Sequence, residues 1–408
     1  MPSTEVRSRS RFAQVIADLA ARASSGRRLA IDTEFVSERR YRALLCLVQV
    51  AVPDSEGPDG VRTEVIDPLA DGFDPESTEP LAQVLADPEV EVVVHAGRQD
   101  VAILRRVWRT EVRNVFDTQV AGGFLGLGSQ EGYESLVRKV LGTRLKGSEG
   151  FTRWDRRPLT AQQLEYAADD ARCLLTLGER LEERLDEQGR LEWAREECRA
   201  LEGVSDERPP ERVYERLPRL ARLSETGRAV ARELVDWREE IAESMDRPAG
   251  FVLPDQALME VARRAPSDLN GLEQIRGLPP QTLHRRGDQL LAAIARGTQR
   301  TPPPSPSSPP SRDGADAPLV SLAQALVRQR SMDSGVAVEL IATQSELAAL
   351  VTAARRGEDG DGLRVTEGWR RELVGDELRE LLAGRRRLGV GPDRTLRVTE
   401  AEAGSGDS

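Results

Sequence analysis

Short apolar runs alternate with amphipathic stretches along the first half of the chain. Runs of about four to eight apolar residues are typical of buried strands, and apolar residues spaced three and four apart are typical of helices. The predicted strands are 28–35, 45–52, 61–67 and 91–95. The predicted helices lie near 11–23, 79–86, 98–108, 132–141 and 160–185. This alternation indicates an α/β domain over residues 10–205, and turn residues at 54–60 indicate a hairpin, so the first three strands should form an antiparallel meander.

The pattern changes after about residue 205. Residues 215–298 contain no convincing strand, and their helical stretches are separated by turn signals, which indicates a small helical domain. Residues 299–318 are rich in proline and serine and predict an extended linker. A last helical domain is expected over 319–398. Its predicted helices are 319–329, 336–341, 345–355 and 369–383.

Two expectations concern how these domains are joined. The charged stretch 177–202 is interpreted as a solvent-exposed connecting helix. A linker of this composition should carry few packing contacts, so we expect the last domain to be removable without unfolding the remainder.

Acidic residues near the ends of the predicted elements offer candidate chemistry. Asp32 and Glu34 stand two apart on the first strand, so their side chains should share a face. Neighbouring carboxylates raise each other's pKa, and a divalent cation would be a suitable counter-charge; the alternative is a strand that simply ends in solvent. Asp100 follows the fourth strand, on a helix. Tyr166 and Asp170 share a helix face, either within a site or as a hydrogen-bonded surface pair.

Three ordered motifs resemble those of a known nuclease superfamily. DTEF at 32–35, HAGRQD at 95–100 and YAADD at 166–170 resemble the exonuclease motifs of the DEDD superfamily, in its tyrosine branch, and most closely the ribonuclease D family. Supporting matches are LCLVQV at 45–50, VIDPL at 65–69, FDTQ at 116–119 and RPL at 157–159. The histidine branch is excluded because Glu165 stands five residues before Asp170.

The resemblance implies a 3′–5′ exonuclease with a ribonuclease H-like fold, in which the strand at 91–95 lies beside the first. The implied metal ligands and catalytic tyrosine are Asp32, Glu34, Asp100, Asp170 and Tyr166. Oxygen ligands suit two Mg²⁺ or Mn²⁺ ions, whereas the two histidines and three cysteines form no zinc pattern. Tyr166 would orient the attacking water. Two features depart from the family pattern: Asp169, expected at the surface or behind the ligands, and the spacing of segment 146–154.

The helical domains resemble a second known module. Residues 215–298 resemble the helicase-and-RNase-D C-terminal (HRDC) domain, and residues 319–398 resemble a more divergent copy of it. The candidate nucleic-acid contacts are Arg263, Arg264, Arg276, Arg285 and Arg286 in the first of these domains, with His95 and Gln49 in the catalytic domain. Arginine is common throughout the chain, so a purely structural role for this set is the alternative.

Composition narrows the class of protein. The chain has 408 residues, of which 31% are charged, and contains no apolar run of the length, roughly 18 residues, that would predict a membrane span. The N-terminus lacks an apolar signal core, and three separated cysteines suit a reducing cytoplasm. The net charge of −11 is unusual for a nucleic-acid-binding protein, because such binding is largely electrostatic. Part of this charge belongs to the predicted metal site.

The sequence therefore predicts a cytoplasmic, metal-dependent 3′–5′ exoribonuclease that trims structured RNA, with tRNA precursors as the favoured substrate. No nucleotide cofactor is expected, and other RNA-processing proteins are candidate partners. Three alternatives remain open. One is a DNA 3′–5′ exonuclease on the same fold. The second is a non-catalytic RNA-binding protein, which is disfavoured because all five catalytic positions are filled, and the third is a purely structural interaction protein.

Overall fold

The structure, a computed structural model, describes residues 9–145, 152–304 and 316–401. Most of the segment 146–154 therefore lies outside the described residues, and so does the middle of the predicted linker. Among the described residues, no helix is both long enough and apolar enough to cross a membrane.

A five-stranded mixed sheet forms the centre of the N-terminal domain. Its strands are β1 (Arg28–Val36), β2 (Leu44–Pro53), β3 (Val61–Ile66), β4 (Glu91–Val94) and β5 (Val115–Asp117), in the order β3-β2-β1-β4-β5. The first three pair antiparallel, and β4 pairs parallel with both β1 and β5. The predicted meander is confirmed, and so is the fourth strand beside the first. Strand β5 was not predicted from the sequence, because three residues are too few to show a strand pattern.

Helices cover both faces of this sheet. They are α1 (Arg9–Gly26), α2 (Glu79–Ala86), α3 (Arg98–Val107), α4 (Thr118–Phe124), α5 (Tyr133–Leu141), α6 (Ala161–Glu187) and α7 (Leu191–Glu202). Leu29 and Ile31 of β1 pack under α1, α2 and α3, whereas Ala30 between them faces α6 on the other side. The first strand is apolar on both faces because both faces are covered.

The long helix α6 lies unusually close to the sheet. It begins with the predicted capping box, in which Thr160 accepts from the Gln163 backbone and Gln163 bonds back to Thr160. Further along, a Cβ at Gly178 would come within 2.8 Å of a Val93 methyl group, so only glycine permits this approach. The N-terminal half of α6 bears the tyrosine motif. The capping box and the close packing at Gly178 hold this half over the end of the sheet.

The predicted solvent-exposed helix over 177–202 is wrong in two respects. The chain breaks into α6 and α7 at Gln188–Arg190, and Leu181, Leu185, Ala194 and Cys198 are fully buried. The charged residues occupy only the outer faces of both helices. The apolar positions between them pack into the core that covers the sheet.

The first helical domain has its own core and meets the catalytic domain through polar contacts. Its helices are α8 (Pro210–Glu215), α9 (Glu225–Ser244), α10 (Ala249–Val252), α11 (Asp255–Arg264), α12 (Leu269–Glu273) and α13 (Pro280–Gln299). The structure contains no strand between 215 and 298, as predicted. At the junction, the Tyr41 hydroxyl donates to Glu239 at 3.0 Å, and Arg40 pairs with Asp246 at 2.7 Å.

The last domain differs from its prediction in content. Its helices are α14 (Ala317–Ser334), α15 (Val338–Ile341), α16 (Gln344–Arg355), α17 (Gly368–Arg370) and α18 (Asp376–Leu382), with a π-helical turn at Arg371–Gly375. A hairpin of β6 (Arg386–Val390) and β7 (Leu396–Glu400) follows, so the expectation of an entirely helical domain is wrong. Both hairpin strands are largely exposed. Because they are short and rich in arginine, a search for strand patterns in the sequence does not find them.

The last domain also differs in how it is attached. It shares one hydrophobic core with the catalytic domain, in which the Trp369 ring stacks on Trp193 of α7 and meets Phe124 of α4 edge to face. The backbone N–H of Ala337 donates to the Gly123 carbonyl at 2.9 Å. This shared core argues against the expectation that the domain can be removed freely, because the contacts lie beyond the linker.

Candidate active site

The four predicted carboxylate ligands meet where β1 and β4 end. These strands are parallel neighbours, so their carboxyl ends lie at the same edge of the sheet. Asp32 and Glu34 lie in the second half of β1, and Asp100 lies in the first turn of α3, directly after β4. Helix α6 brings Asp170 across this edge. All four carboxylates line one cavity of about 310 Å³, together with Tyr166.

The cavity is strongly acidic. Asp100 and Asp170 are almost fully buried, and Asp32 and Glu34 are half-buried. Among the described residues, no arginine or lysine lines the cavity. The carboxylates therefore face one another without an arginine or lysine counter-charge from the described residues, which is an unfavourable arrangement in low-dielectric surroundings.

The pKa values of all four carboxyl groups respond to this environment. Burial, followed by the charges of Asp170 and Asp100, raises the pKa of Glu34 to about 8. Burial raises the pKa of Asp170 to about 7 and that of Asp100 to about 6. The pKa of Asp32 is raised well above its ordinary value by burial and by the three other carboxylates. Without a cation, this site holds protons at neutral pH.

Neighbouring side chains fix the position of Asp100. The hydroxyl of Thr33 donates to its carboxylate at 2.5 Å. Asp117 accepts hydrogen bonds from the backbone N–H groups of Ala96 and Gly97, at 3.0 and 2.9 Å, and so holds the turn that starts α3. A Cβ at Gly97 would lie 2.5 Å from Val94, so this turn requires glycine. These contacts give structural reasons for the glycine of the second motif and for the aspartate of FDTQ.

Tyr166 faces the carboxylates from one side of α6. Its phenol is hydrogen-bonded to Asp170 and its pKa is raised, first by burial and then by that carboxylate. The Tyr166 ring lies parallel to the buried Trp154 ring, with centroids 6.4 Å apart. The phenol therefore keeps its proton at neutral pH and is held in a fixed direction.

A second tyrosine supports the same helix. The Tyr133 hydroxyl, at the start of α5, donates to the backbone carbonyl of Asp170. Its ring also lies 5.3 Å from that of His95, centroid to centroid. Tyr133, Thr33 and Trp154 were not among the site residues predicted from the sequence. Nothing in the sequence marks Tyr133 or Trp154, whereas the polar Thr33 between two predicted ligands was a usable signal.

The structure places His95 in the cavity and Asp169 outside it. His95 lines the cavity, its Nδ1 lies 2.9 Å from the Thr118 hydroxyl, and burial lowers its pKa, so the ring is neutral at neutral pH. Asp169 instead accepts a hydrogen bond from Arg172 at 2.7 Å and does not line the cavity. Asp169 was expected either at the surface or behind the ligands, and its position outside the cavity is consistent with that expectation.

The predicted contact of Gln49 with nucleic acid is not supported. Gln49 lies on β2 opposite Asp32, its side chain has no exposed surface, and neither amide atom has a hydrogen-bond partner among the described residues. A fully covered side chain cannot touch a strand of RNA. The amide lies instead in the core beneath α6, next to the first motif.

The structure divides the predicted arginine set. Arg263 and Arg264 of α11 both bind Glu260, at 2.6 and 2.5 Å, which neutralises much of their charge. Arg285 and Arg286 line a shallow groove beside Phe251, which is 64% exposed. Arg276 is exposed. The role of the set in RNA binding stays a prediction.

Two supporting motifs are joined by one ion pair. Arg157, of the RPL sequence, donates two hydrogen bonds to Asp67 of VIDPL, at 2.7 and 2.5 Å, and another to the Cys46 carbonyl at 3.0 Å. Asp67 is almost fully buried. These contacts anchor the segment that precedes α6 to β2 and to the end of β3, and so help to place Tyr166.

The donor set fits hard divalent cations. Four carboxylates, with no arginine or lysine among the described residues that line their cavity, supply oxygen ligands and negative charge, which are what Mg²⁺ or Mn²⁺ require. Within the described ranges, no three His, Cys, Asp or Glu side chains are already arranged so that they could hold a metal ion together. The four carboxylates line one cavity but do not form a preassembled metal site.

Comparisons with known proteins agree with this arrangement. A family model described as 3′–5′ exonuclease matches residues 6–186, and a model of the HRDC domain matches residues 227–294. The chain is similar to ribonuclease D of Gluconacetobacter diazotrophicus, with 36% identity over 378 residues and 91% of each chain covered. It is 35% identical over 386 residues to ribonuclease D of Nitrobacter hamburgensis, covering 94% of this chain and 97% of that relative.

One solved structure is similar over the whole architecture. The crystal structure of Escherichia coli RNase D, described as an exoribonuclease involved in structured RNA processing, matches with a TM-score of 0.79 and 28% sequence identity. The match covers 94% of this chain and 99% of the other, so it includes the helical domains as well as the sheet.

Proposed function

We propose, because the chain belongs to the ribonuclease D family and is a 3′–5′ exoribonuclease, that it trims the 3′ ends of structured RNAs such as tRNA precursors. The observation that carries the proposal is the cavity at the ends of β1 and β4. Four carboxylates and Tyr166 line it, and no arginine or lysine does so among the described residues.

We further propose that Asp32, Glu34, Asp100 and Asp170 hold two Mg²⁺ or Mn²⁺ ions. Bound divalent cations supply the missing counter-charge, activate water and stabilise the leaving oxygen of a phosphodiester. Other residues of the chain hold these ligands in position. Thr33 and Asp117 keep Asp100 in place, and Tyr133 holds the α6 backbone at Asp170.

The role proposed for Tyr166 is that of a hydrogen-bond donor. Its raised pKa excludes the phenolate as a base at neutral pH in the metal-free site. The hydroxyl, fixed by Trp154 and directed toward Asp170, can orient a water molecule against the scissile phosphate. This role needs the hydroxyl but no change in its protonation.

The proposed function is tested with an RNA hairpin that carries a single-stranded 3′ extension and a 5′ label. Stepwise shortening from the 3′ end in Mg²⁺ or Mn²⁺, its absence in EDTA, and resistance of a 3′-blocked RNA are the expected results. A matched DNA hairpin distinguishes the ribonuclease from the alternative DNA exonuclease. Endonucleolytic fragments, or equal rates in EDTA, would contradict the proposal.

Replacing Tyr166 by phenylalanine should reduce hydrolysis by roughly 10²–10⁴-fold, the range associated with positioned proton-transfer groups. The substitution keeps the ring that packs on Trp154 and leaves all four carboxylates in place. Metal affinity, measured by calorimetric titration, should stay within a few-fold of the wild-type value. A loss of metal affinity as large as that of Asp170→Asn would show that Tyr166 acts on the ligands instead.

The metal-free protein should lose stability as the pH rises through the neutral range. Glu34, Asp170 and Asp100 have folded pKa values of about 8, 7 and 6, above the unfolded values of roughly 4. Between these values the folded state binds more protons, so its stability decreases with increasing pH. In EDTA, the melting temperature should fall from pH 6 to pH 8, and the increase on adding Mg²⁺ should grow over the same window.

Glu34→Gln provides the control for this experiment, since it removes the group with the pKa of about 8. The decrease in melting temperature should be smaller in this variant. An increment from Mg²⁺ that does not depend on pH would show that the cation does not compete with protons at these carboxylates.

The finer assignments remain proposals. Cytoplasmic localisation is supported by three free cysteines, Cys46, Cys173 and Cys198. Association with other RNA-processing proteins, and an HRDC-like identity for residues 319–398, remain predictions.

A further inference from the structure

A second cleft lies between the catalytic domain and the first helical domain. Its volume is about 830 Å³, within the range of roughly 300–1,000 Å³ that is common for ligand sites. The walls come from the segment around Tyr41, from the start of α3, and from α8 with the loops before α10 and α11. None of the predicted nucleic-acid contacts lines it.

Six arginines line this cleft, and three of them are already neutralised. Arg40 pairs with Asp246 at 2.7 Å, Arg208 with Glu239 at 3.0 Å and Arg238 with Asp255 at 2.6 Å. These pairs join the two domains or stabilise the helical one, and they leave little charge for a ligand.

The other three arginines have no such partner. Arg98, Arg212 and Arg216 are exposed and form no ion pair within the described part of the chain. Among the described residues that line the cleft, the acidic side chains are Asp255, which is already paired, and Glu207. The cleft is thus locally positive, in a chain whose net charge is −11. Such a concentration of unpaired guanidinium groups is the electrostatic footprint of a polyanion site.

The cleft adjoins the active site through a single turn of helix. Arg98 lines the cleft, while Gln99 and Asp100, the next two residues of α3, line the catalytic cavity. An exonuclease holds the 3′-terminal nucleotide at its carboxylates, so the rest of the strand must leave the cavity across its rim. The first turn of α3 forms part of that rim, and Arg98 gives this turn a positive charge.

We propose that this cleft binds the phosphodiester backbone of the substrate strand, 5′ to the cleaved nucleotide. Arg98, Arg212 and Arg216 are the phosphate-binding residues, and Tyr41 provides an aromatic wall between the guanidinium groups of Arg42 and Arg208. The inference rests on the proposed 3′-end hydrolysis and adds to it the path of the strand. Binding here is independent of base sequence, because contacts to phosphate oxygens carry no sequence information.

The test compares Arg212→Gln/Arg216→Gln with a matched control, Arg328→Gln/Arg387→Gln. Both variants remove two exposed arginines without an ion pair among the described residues, but the control pair lies in the last domain, away from the cleft. Equal melting temperatures establish that both are folded. For each protein, kcat/KM is measured on a ribodinucleotide and on a 12-nucleotide single-stranded RNA, and the ratio of the two values is compared.

The ratio should fall on the order of tenfold in the cleft variant, since exposed charge pairs contribute modestly each. In EDTA, fluorescence anisotropy with the 12-nucleotide RNA should show weaker binding. The slope of log K against log salt should be less steep by about 0.7 for each lost phosphate contact. The control variant should match the wild type in both measurements.

An unchanged ratio and salt slope in the cleft variant would overturn the inference, as would equal losses in the control. The binding experiment needs no hydrolysis. If the wild type fails to degrade RNA, the proposed function fails, while the anisotropy measurement still decides whether RNA occupies the cleft.

Discussion

Replacing Asp32 by asparagine should abolish hydrolysis and leave the fold intact. Asp32 faces three other carboxylates, and burial together with their charges raises its pKa well above the ordinary value. The amide has nearly the same shape but cannot supply the negative charge that holds a cation. We expect turnover to fall by more than about 100-fold, beyond the effect of altering an outer partner of a metal ligand. Initial rates on the 3′-extended hairpin RNA measure this loss.

The same substitution should not destabilise the metal-free protein. Asparagine relieves repulsion among buried like charges, so the melting temperature in EDTA should equal or exceed that of the wild type. Mg²⁺ should then produce a smaller increase in the variant. Near-wild-type turnover in purified Asp32→Asn would remove Asp32 from the proposed ligands.

Asp169→Asn is the matched control, because it makes the same chemical change at an acid that is next to Asp170 in the sequence but does not line the cavity. Asp169 binds Arg172 and does not line the catalytic site. Its variant should keep turnover within a few-fold of the wild type. A loss as severe as that of Asp32→Asn would mean that any acid near the site matters, and the specific assignment of the ligands would fail.

The carboxylates could be predicted from the sequence because local geometry determines much of their arrangement. Spacing of two on a strand places Asp32 and Glu34 together, and spacing of four on a helix does the same for Tyr166 and Asp170. The three motifs, in this order, resemble those of a known nuclease superfamily, and that resemblance predicts that the two pairs lie in one site. The strands that carry them were predicted to within a few residues, because each is a continuous apolar run between turn signals.

The supporting residues could not be predicted, because their partners are distant in sequence. Tyr133 binds the backbone at Asp170, and Arg157 binds Asp67, across 37 and 90 residues respectively. No periodic pattern reports such contacts. The arginine-lined cleft was missed for a related reason: Arg98 and Arg212 lie on different domains, and a search for basic clusters along the chain selects neighbours such as Arg263 and Arg264. Those two are paired with Glu260 in the structure.

The attachment of the last domain exposes another limit of sequence patterns. A composition rich in proline and serine indicates that the linker does not pack against the folded domains. It does not indicate whether the domain that follows the linker packs against the catalytic domain. Here Trp369 is 1% exposed and contacts Trp193 and Phe124 of the catalytic domain. Arg370 is also buried, and pairs with Glu197 at 2.5 Å. The domain completes the core that covers one face of the sheet.

Removing residues 305–408 should therefore destabilise the catalytic domain. The truncation uncovers Phe124 and Trp193 and leaves Glu197 without the guanidinium groups of Arg364 and Arg370. A single substitution, Trp369→Ala, tests the same interface in the full chain. It should lower the free energy of unfolding by about 3–5 kcal/mol, the usual cost of deleting a buried aromatic side chain. Denaturant unfolding followed by circular dichroism measures both proteins.

Met332→Ala is the control within the same domain, because Met332 is 79% exposed. Its effect should stay within about 0.5 kcal/mol, as for most surface substitutions. If the truncated chain unfolds at the same denaturant concentration as the full chain, or if Trp369→Ala matches Met332→Ala, the shared core contributes no stability. The last domain would then be an independent appendage that rests on the catalytic domain.

If the truncation and Trp369→Ala both destabilise the protein as expected, loss of RNA hydrolysis in the truncated protein cannot be assigned to lost RNA contacts. The cleft substitutions, which leave this core intact, then become the measurement that isolates RNA binding from folding.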